Sequence, residues 1–305
     1  EMAIAGQTAP FGNDLLFRST GSLAVTFHVE ICEDIWMPIP PSAHAALAGA
    51  EVLLNLSASN ITIGKAELRR LLCGSQSARA SAAYAYSASG PGESTTDLAW
   101  DGHAAIYECG DQLAESARFE KDSTIVQADV DLGRIRQERL RNGGLAENAT
   151  QERDRVGRFR HVVFQFEAPK QSVRLERAIE RYPYVPSDPS KLRDNCYEAY
   201  NIQVQGLARR LEASGLKKLV IGISGGLDST QALLVAAKAM DQLGLPRANI
   251  LAYTLPGFAT SDRTKDNAWG LMRAVGTTPA EFARFMQSEI QRYGRIIRES
   301  GAKAD

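Results

Sequence analysis

Twelve consecutive residues constrain this chain more than any others: Leu219-Val220-Ile221-Gly222-Ile223-Ser224-Gly225-Gly226-Leu227-Asp228-Ser229-Thr230. Residues 219–223 are apolar and rich in β-branched side chains, which predicts a short strand covered on both faces. Gly225 and Gly226 permit a tight turn and a close approach of the backbone to a ligand. Ala232, Leu233, Ala236 and Met240 then recur at helical spacing. A glycine turn between strand and helix puts free N–H groups and the positive end of a helix dipole at one point, where an anion is favoured. The Gly-x-x-x-x-Gly-Lys pattern and its lysine are absent, so this is not a Walker A loop.

Length and composition narrow the rest. At 305 residues the chain has room for about two domains. A net charge of −1 gives no electrostatic reason to expect a nucleic acid or an acidic membrane as partner. No apolar run is long enough to cross a bilayer, and the first residues do not read as a signal peptide. Cys32, Cys73, Cys109 and Cys196 are scattered, without Cys-x-x-Cys pairs or zinc spacing. A reducing, cytoplasmic setting is the expectation that follows.

In the first half, Leu23 to Ile31 reads as a strand running into Cys32-Glu33-Asp34-Ile35-Trp36. A cysteine at a strand end, followed by two carboxylates and an aromatic, is an unusual place for a core thiol; on a tight elbow it can act as a nucleophile. Further expectations are a short helix over 43–50, a buried strand over 52–57, a helix over 67–83 and a strand over 82–88. Strands at 104–107 and 125–130 and a charged helix over 131–141 follow. His103 reads as a structural loop histidine. Residues 142–195 read as loop-rich, with a turn at Asn142-Gly143-Gly144 and a basic cluster at Arg153, Arg155, Arg158 and Arg160. Prolines 169, 183, 186 and 189 put a domain boundary near 170. A helix over 194–213 leads to the glycine loop. A strand over 249–255 and a helix over 263–274, capped by Ser261 or Asp262, come after it.

Two resemblances attach to these residues. Ser224-Gly225-Gly226-Leu227-Asp228-Ser229 resembles the Ser-Gly-Gly-x-Asp-Ser signature of the ATP-pyrophosphatase family, which cleaves ATP to AMP and pyrophosphate. The likeness implies that Ser224, Gly225, Gly226 and Ser229 hold phosphates within a loop that includes Gly222, Ile223 and Leu227. It implies that Asp228 helps hold Mg²⁺ and that the strand end at Leu255 lines the adenosine pocket. The segment Val29 to Trp36 resembles the nucleophile elbow of the nitrilase (carbon–nitrogen hydrolase) family in its glutaminase form. There Cys32 would attack the side-chain amide of glutamine, with Glu33, Ser59 and Lys65 binding the substrate. Relatives carry arginine where Lys65 stands, and lysine cannot make the same bidentate grip on a carboxylate.

Together the halves resemble the glutamine-dependent NAD⁺ synthetase family, which amidates deamido-NAD⁺ with ATP and with ammonia from glutamine. The resemblance implies an α/β chain: a partial nitrilase-type α-β-β-α sandwich over 1–168, a linker over 169–190, and a partial doubly wound, Rossmann-like ATP-pyrophosphatase domain over 191–276. It implies ATP and Mg²⁺ as cofactors, small-molecule partners, no nucleic acid or membrane, and homo-oligomers among intact members. The family's glutamate base and lysine precede the nucleophile. The residues ahead of Cys32 hold Glu1 and Glu30 and no lysine, so the expectation is an incomplete glutaminase set. Residues 277–305, opening on Thr278-Pro279-Ala280-Glu281-Phe282, resemble the C-terminal helix of tricarboxylate-transport solute-binding proteins. A junction is expected near Gly276. The competing readings are an ATP-binding remnant without catalysis and a stand-alone nitrilase-like amidase.

Overall fold

The computed structural model describes residues 1–275 apart from 95–96, 172, 178, 180–184, 187 and 255–260, and beyond them Gln287, Gln291 and Arg295. The chain divides into two compact units, residues 1–179 and 180–305. Among the described residues no helix is long and apolar enough to cross a membrane.

The first unit opens with a small hairpin of β1 (Met2–Ile4) and β2 (Gln7–Ala9). The main elements follow: β3 (Leu15–Thr20), β4 (Thr26–Ile31), a 3₁₀ turn (Cys32–Trp36), α1 (Pro41–Leu47), β5 (Val52–Ser57), α2 (Lys65–Ala80) and β6 (Ala83–Ala88). After these come β7 (Ala104–Glu108), β8 (Asp111–Glu115), α3 (Leu132–Arg141), α4 (Gly143–Gln151), α5 (Arg153–Val156) and β9 (Arg160–Gln165). Seven strands form one mixed sheet in the order β8-β7-β6-β5-β4-β3-β9. Its centre, β4-β5-β6, is parallel, so the ends of three adjacent strands deliver Ile31, Ser57 and Ala88 to one edge.

Register aligns Glu30, Asn55, Tyr86 and Ala105 across the sheet. This face is covered: α1 packs on β4, and α2 packs on β6 and β7. Small residues permit the close approach, since Ala45, Ala46, Ala50, Ala80 and Ala82 are all buried beside Leu53, Tyr84 and Tyr107. On the opposite face Phe27, Val29, Leu54 and Ala85 are half-buried, and Ile31 and Leu56 are exposed.

Capping explains several element starts. Pro40 offers α1 no side-chain cap. The buried Glu30 carboxylate on β4 supplies one, accepting the Ser42 N–H at 2.9 Å, and it also accepts the Tyr84 hydroxyl at 2.5 Å. A carboxylate at a helix N-terminus is favoured by the dipole. Asp131 caps α3 by accepting the Arg134 N–H at 3.0 Å.

The second unit holds α6 (Pro189–Ser214), β10 (Leu219–Gly222), α7 (Leu227–Gln242), a 3₁₀ turn (Arg247–Asn249), β11 (Ile250–Tyr253) and α8 (Asp262–Val275). β10 and β11 pair in parallel through the α7 crossover, with Leu219 opposite Ile250. The core gathers Leu211, Ile223, Leu233, Met240, Ile250, Ala268 and Leu271. Val204 and Ala208 of α6 pack with Val235 and Ala239 of α7.

Several expectations change. The strand at 219–222 is not covered on both faces, because Val220 is 74% exposed. No strand forms over 125–130; these residues lack regular structure and Ile125 is exposed. The region read as loop-rich contains α4, α5 and β9, and Gly143 and Gly144 begin a helix where a turn was expected. The helix expected from 194 starts earlier, at Pro189, with the Asp188 carboxylate accepting the Ser190 N–H. Except for Gln287, Gln291 and Arg295, the tail at 277–305 lies outside the described residues.

Candidate active site

Cys32 stands where β4 turns into the 3₁₀ segment. Ile31 is still extended (φ −125°), whereas Cys32 is left-handed at φ 52°. A non-glycine residue there costs on the order of 1–2 kcal/mol, so its surroundings must fix it. The Asp34 carboxylate accepts the Ile31 N–H at 2.8 Å, Ile35 is buried, and the Asn55 amide donates to the Cys32 carbonyl at 3.4 Å. The half-buried thiol opens on a cavity of about 380 Å³ lined by Ile31, Leu56, Ser57, Ala58, Ser87 and Ser89. The Ser57 hydroxyl donates to the Cys32 sulfur at 3.6 Å. This is a nucleophile's geometry: a constrained elbow, a solvent-reachable sulfur and a hydroxyl donor beside it.

The residues expected to grip substrate lie around the same strand ends. Glu33 is exposed on the 3₁₀ turn, and Ser59 is half-buried just past β5. Lys65 begins α2; its ammonium donates to the Asn60 carbonyl at 2.7 Å and sits 5.5 Å from the Trp36 ring centre. Glu30, one of the carboxylates ahead of Cys32, is committed to Ser42 and Tyr84 behind the sheet.

The other thiols differ. Burial pushes Cys73 up to about 12 and also raises Cys109. Cys196 is exposed on α6. His103, read from sequence as a structural loop histidine, is buried, its Nε2 meets Glu115 at 2.6 Å, and burial pulls it below its ordinary value.

In the second unit the loop from Gly222 to Ser229 joins β10 to α7. The Ser224 and Ser229 hydroxyls lie 3.1 Å apart, and Ser229 also accepts the Ser224 N–H at 3.2 Å. Gly226 is the helix N-cap and has no side-chain cap of its own, which leaves the helix end open to an outside acceptor. Gly225 has φ 81°, and a Cβ there would collide with the Thr264 carbonyl of α8. Leu227 and Asp228 are exposed on the first turn. Among the described residues no group of three or more His, Cys, Asp or Glu could hold a metal ion. One exposed carboxylate beside an uncapped helix N-terminus suits Mg²⁺ carried in on a nucleotide, since that ion takes one or two carboxylates plus phosphate oxygens. Leu255 lies outside the described residues.

The chain is 57% identical over 280 residues to the glutamine-dependent NAD(+) synthetase of Mycobacterium leprae, covering 92% of this chain and 41% of that protein. It is 55% identical over 278 residues to the same enzyme of Mycobacterium tuberculosis, covering 91% of this chain and 41% of that protein. Residues 199–299 match the NAD synthase family model. The chain is similar to the glutamine-dependent NAD(+) synthetases. It spans about two fifths of the length of these synthetases (41%). The NAD synthase match runs on to residue 299, across the point near Gly276 where a junction was expected. A solved structure of the glutamine-dependent NAD(+) synthetase from Acinetobacter baumannii, in complex with ADP, aligns at a TM-score of 0.31 and 21% identity. It covers 92% of this chain and 43% of that one.

Against the synthetase site expected from sequence, the structure adds Asn55 and Ser57, which contact Cys32. A signal for them exists in the sequence. They are polar residues at i and i+2 on one face of a strand that otherwise reads Val-Leu-Leu-Leu, and that face is buried.

Proposed function

We propose that this chain carries the nucleophile of a glutaminase and the ATP cradle of an NAD(+) synthetase, and that it belongs to the amidation of deamido-NAD(+) to NAD(+). The Cys32 sulfur attacks the side-chain amide carbon of glutamine. The carbon–nitrogen bond breaks, ammonia leaves, and the thioester on sulfur is hydrolysed by water to glutamate. Glu33, Ser59 and Lys65 bind the glutamine. In the second unit Ser224, Gly225, Gly226 and Ser229, with Gly222, Ile223 and Leu227, receive the phosphates of ATP, and Leu255 borders the adenosine. Asp228 is the ligand for Mg²⁺, which neutralises phosphate charge when bound. The setting is the cytoplasm, and the assembled enzyme is a homo-oligomer.

The observation that carries this reading is the Cys32 elbow: a left-handed cysteine at the end of a parallel strand, its sulfur on an open cavity. No lysine precedes it in the 305 residues, and Glu30 is tied up elsewhere. The chain is expected to bind ATP–Mg²⁺ through the loop at Ser224–Ser229, and any turnover of glutamine is expected to depend on Cys32. Calorimetry with ATP–Mg²⁺ on the wild type and on Asp228→Ala tests the cradle; loss of binding in the variant supports it, and equal binding opposes it. Glutamate release tests the first site. Turnover by the 305-residue chain that vanishes in Cys32→Ala keeps the nucleophile and overturns the incomplete set. Turnover that survives Cys32→Ala removes the nucleophile.

A further inference from the structure

A buried polar column stands behind the Cys32 sulfur, and the reaction above gives it no task. Ser57 is 6% exposed and donates to that sulfur. Asn55, on the same face of β5, is opposite Tyr86 of β6. Tyr86 is 2% exposed, yet its hydroxyl has no hydrogen-bond partner among the described residues. Burial raises the Tyr86 phenol, while the Ser57 side chain and the Arg69 charge pull it down. The Arg69 guanidinium carbon lies 5.1 Å from the Tyr86 ring centre. Arg69 is fully buried and spans both Asp101 oxygens at 3.1 Å through one nitrogen, leaving Nε and Nη2 without partners among the described residues.

Orphaned donors in a dry interior are costly. The orphaned Tyr86 hydroxyl on β6, with the Arg69 nitrogens beside its ring, fits a site where negative charge develops, and the group at these strand ends that becomes negative is the Cys32 thiolate. We infer that Ser57 and Tyr86 are positioning residues for Cys32. The Ser57 hydroxyl holds the sulfur toward the cavity and continues to donate to it as it attacks. The unpartnered Tyr86 hydroxyl, beside the Arg69 guanidinium, supplies a further donor on the Ser57 side of the sulfur when the sulfur becomes negative. Donors gathered in a dry interior reinforce one another. The inference rests on reading Cys32 as a nucleophile.

The test is alkylation of the whole chain by iodoacetamide at one fixed pH near neutrality, with each cysteine followed in its own peptide. Ser57→Ala slows Cys32 about threefold to tenfold, the worth of one hydrogen bond. Ser57→Thr returns the rate to within about twofold, and Tyr86→Phe slows it by about twofold to threefold. Exposed Cys196 is the internal standard, and Cys73, 1% exposed, reacts if the first unit opens. An unchanged Cys32 rate in Ser57→Ala, with Cys73 protected, overturns the inference. Should Ser57→Ala expose Cys73, the other two variants decide. A retained rate in Ser57→Thr with a slowed one in Tyr86→Phe supports the inference; a wild-type rate in Tyr86→Phe overturns it. Alkylation needs neither glutamine nor ATP, so it reads the positioning role whether or not glutamine proves to be the substrate.

Discussion

Two residues in the left-handed region, Cys32 and Gly225, hold the two candidate sites in shape, and they do so for different reasons. Cys32 has a side chain and carries strain; Gly225 has none and avoids a collision. The glycine loop was legible because every feature of it is local: β-branched run, two glycines, helical spacing. Which glycine is indispensable was not legible, because the Thr264 carbonyl that approaches Gly225 belongs to α8, well beyond the loop. Gly222 is a control in the same loop, with open space around its Cα and no positive φ. Gly225→Ala is therefore expected to destabilise the second unit by about 2 kcal/mol or more, combining backbone strain with displacement of α8. Gly222→Ala is expected to lie within about 1 kcal/mol of wild type. Urea melts of the two variants check this, and equal midpoints would remove Gly225 from its packing role.

At the scale of elements, the first unit depends on charges that α2 and the β7–β8 hairpin bury. Arg69 on α2 and Asp101 are both fully buried, and Arg118 reaches Asp101 at 3.6 Å from a more exposed position. Removing one partner of a buried pair leaves the other uncompensated, at about 3–5 kcal/mol. Arg69→Met should lose that much in chemical denaturation, and adding Asp101→Asn should recover part of it; a double variant no better than the single one would speak against the charge as cause. The hairpin sets the pH response. Burial opposes ionisation of Glu108 and Glu115, but Arg177, the Asp131 N–H and Arg134 around the first, and Arg70 and His103 around the second, hold both below the ordinary 4.5. Burial holds His103 below 6.5. All three shifts run downward, so the unfolded chain binds more protons in each window and stability rises with pH there. The share from His103 is whole above 6.5 and fades below it; the shares from the glutamates fade below 4.5. Urea midpoints should fall in two stages on acidification, and His103→Gln, which keeps a donor toward Glu115, should flatten the first. An unaltered first stage in that variant would assign it elsewhere. These elements also mark the limits of sequence reading. β5, α2 and α3 were legible from their apolar and charged patterning; the Asp131 cap on α3 was not read from sequence. β9 was not, since its charged, half-exposed pattern becomes a strand only by pairing with β3 some 144 residues away, where Thr20 donates to the Phe164 carbonyl. Residues 125–130 have strand-like composition, but no described strand pairs with them.

For the whole molecule, each unit has a core of its own. Leu16, Leu53, Tyr84 and Tyr107 cluster in the first, and Leu211, Leu233, Met240 and Leu271 in the second. With a core in each unit, a ligand bound to one is expected to move the unfolding transition of that unit. The cradle at Ser224–Ser229 rests on Ile223, which is buried in the second core, and on α8 through Gly225. On the proposed reading, ATP–Mg²⁺ bound there would stabilise the second unit by mass action: at a ligand concentration a hundred times the dissociation constant the gain is about 2.7 kcal/mol. The first unit holds no part of this loop and gains nothing. Two-transition thermal unfolding, followed through hydrogen exchange of peptides from α2 and from α7, should show the α7 transition rising with ATP–Mg²⁺ while the α2 transition stays in place. In Asp228→Ala the rise should shrink or vanish. A shift of both transitions together would mean that the units unfold as one cooperative body. A shift of α2 alone would move the nucleotide site to the first unit and leave the glycine loop as a structural turn.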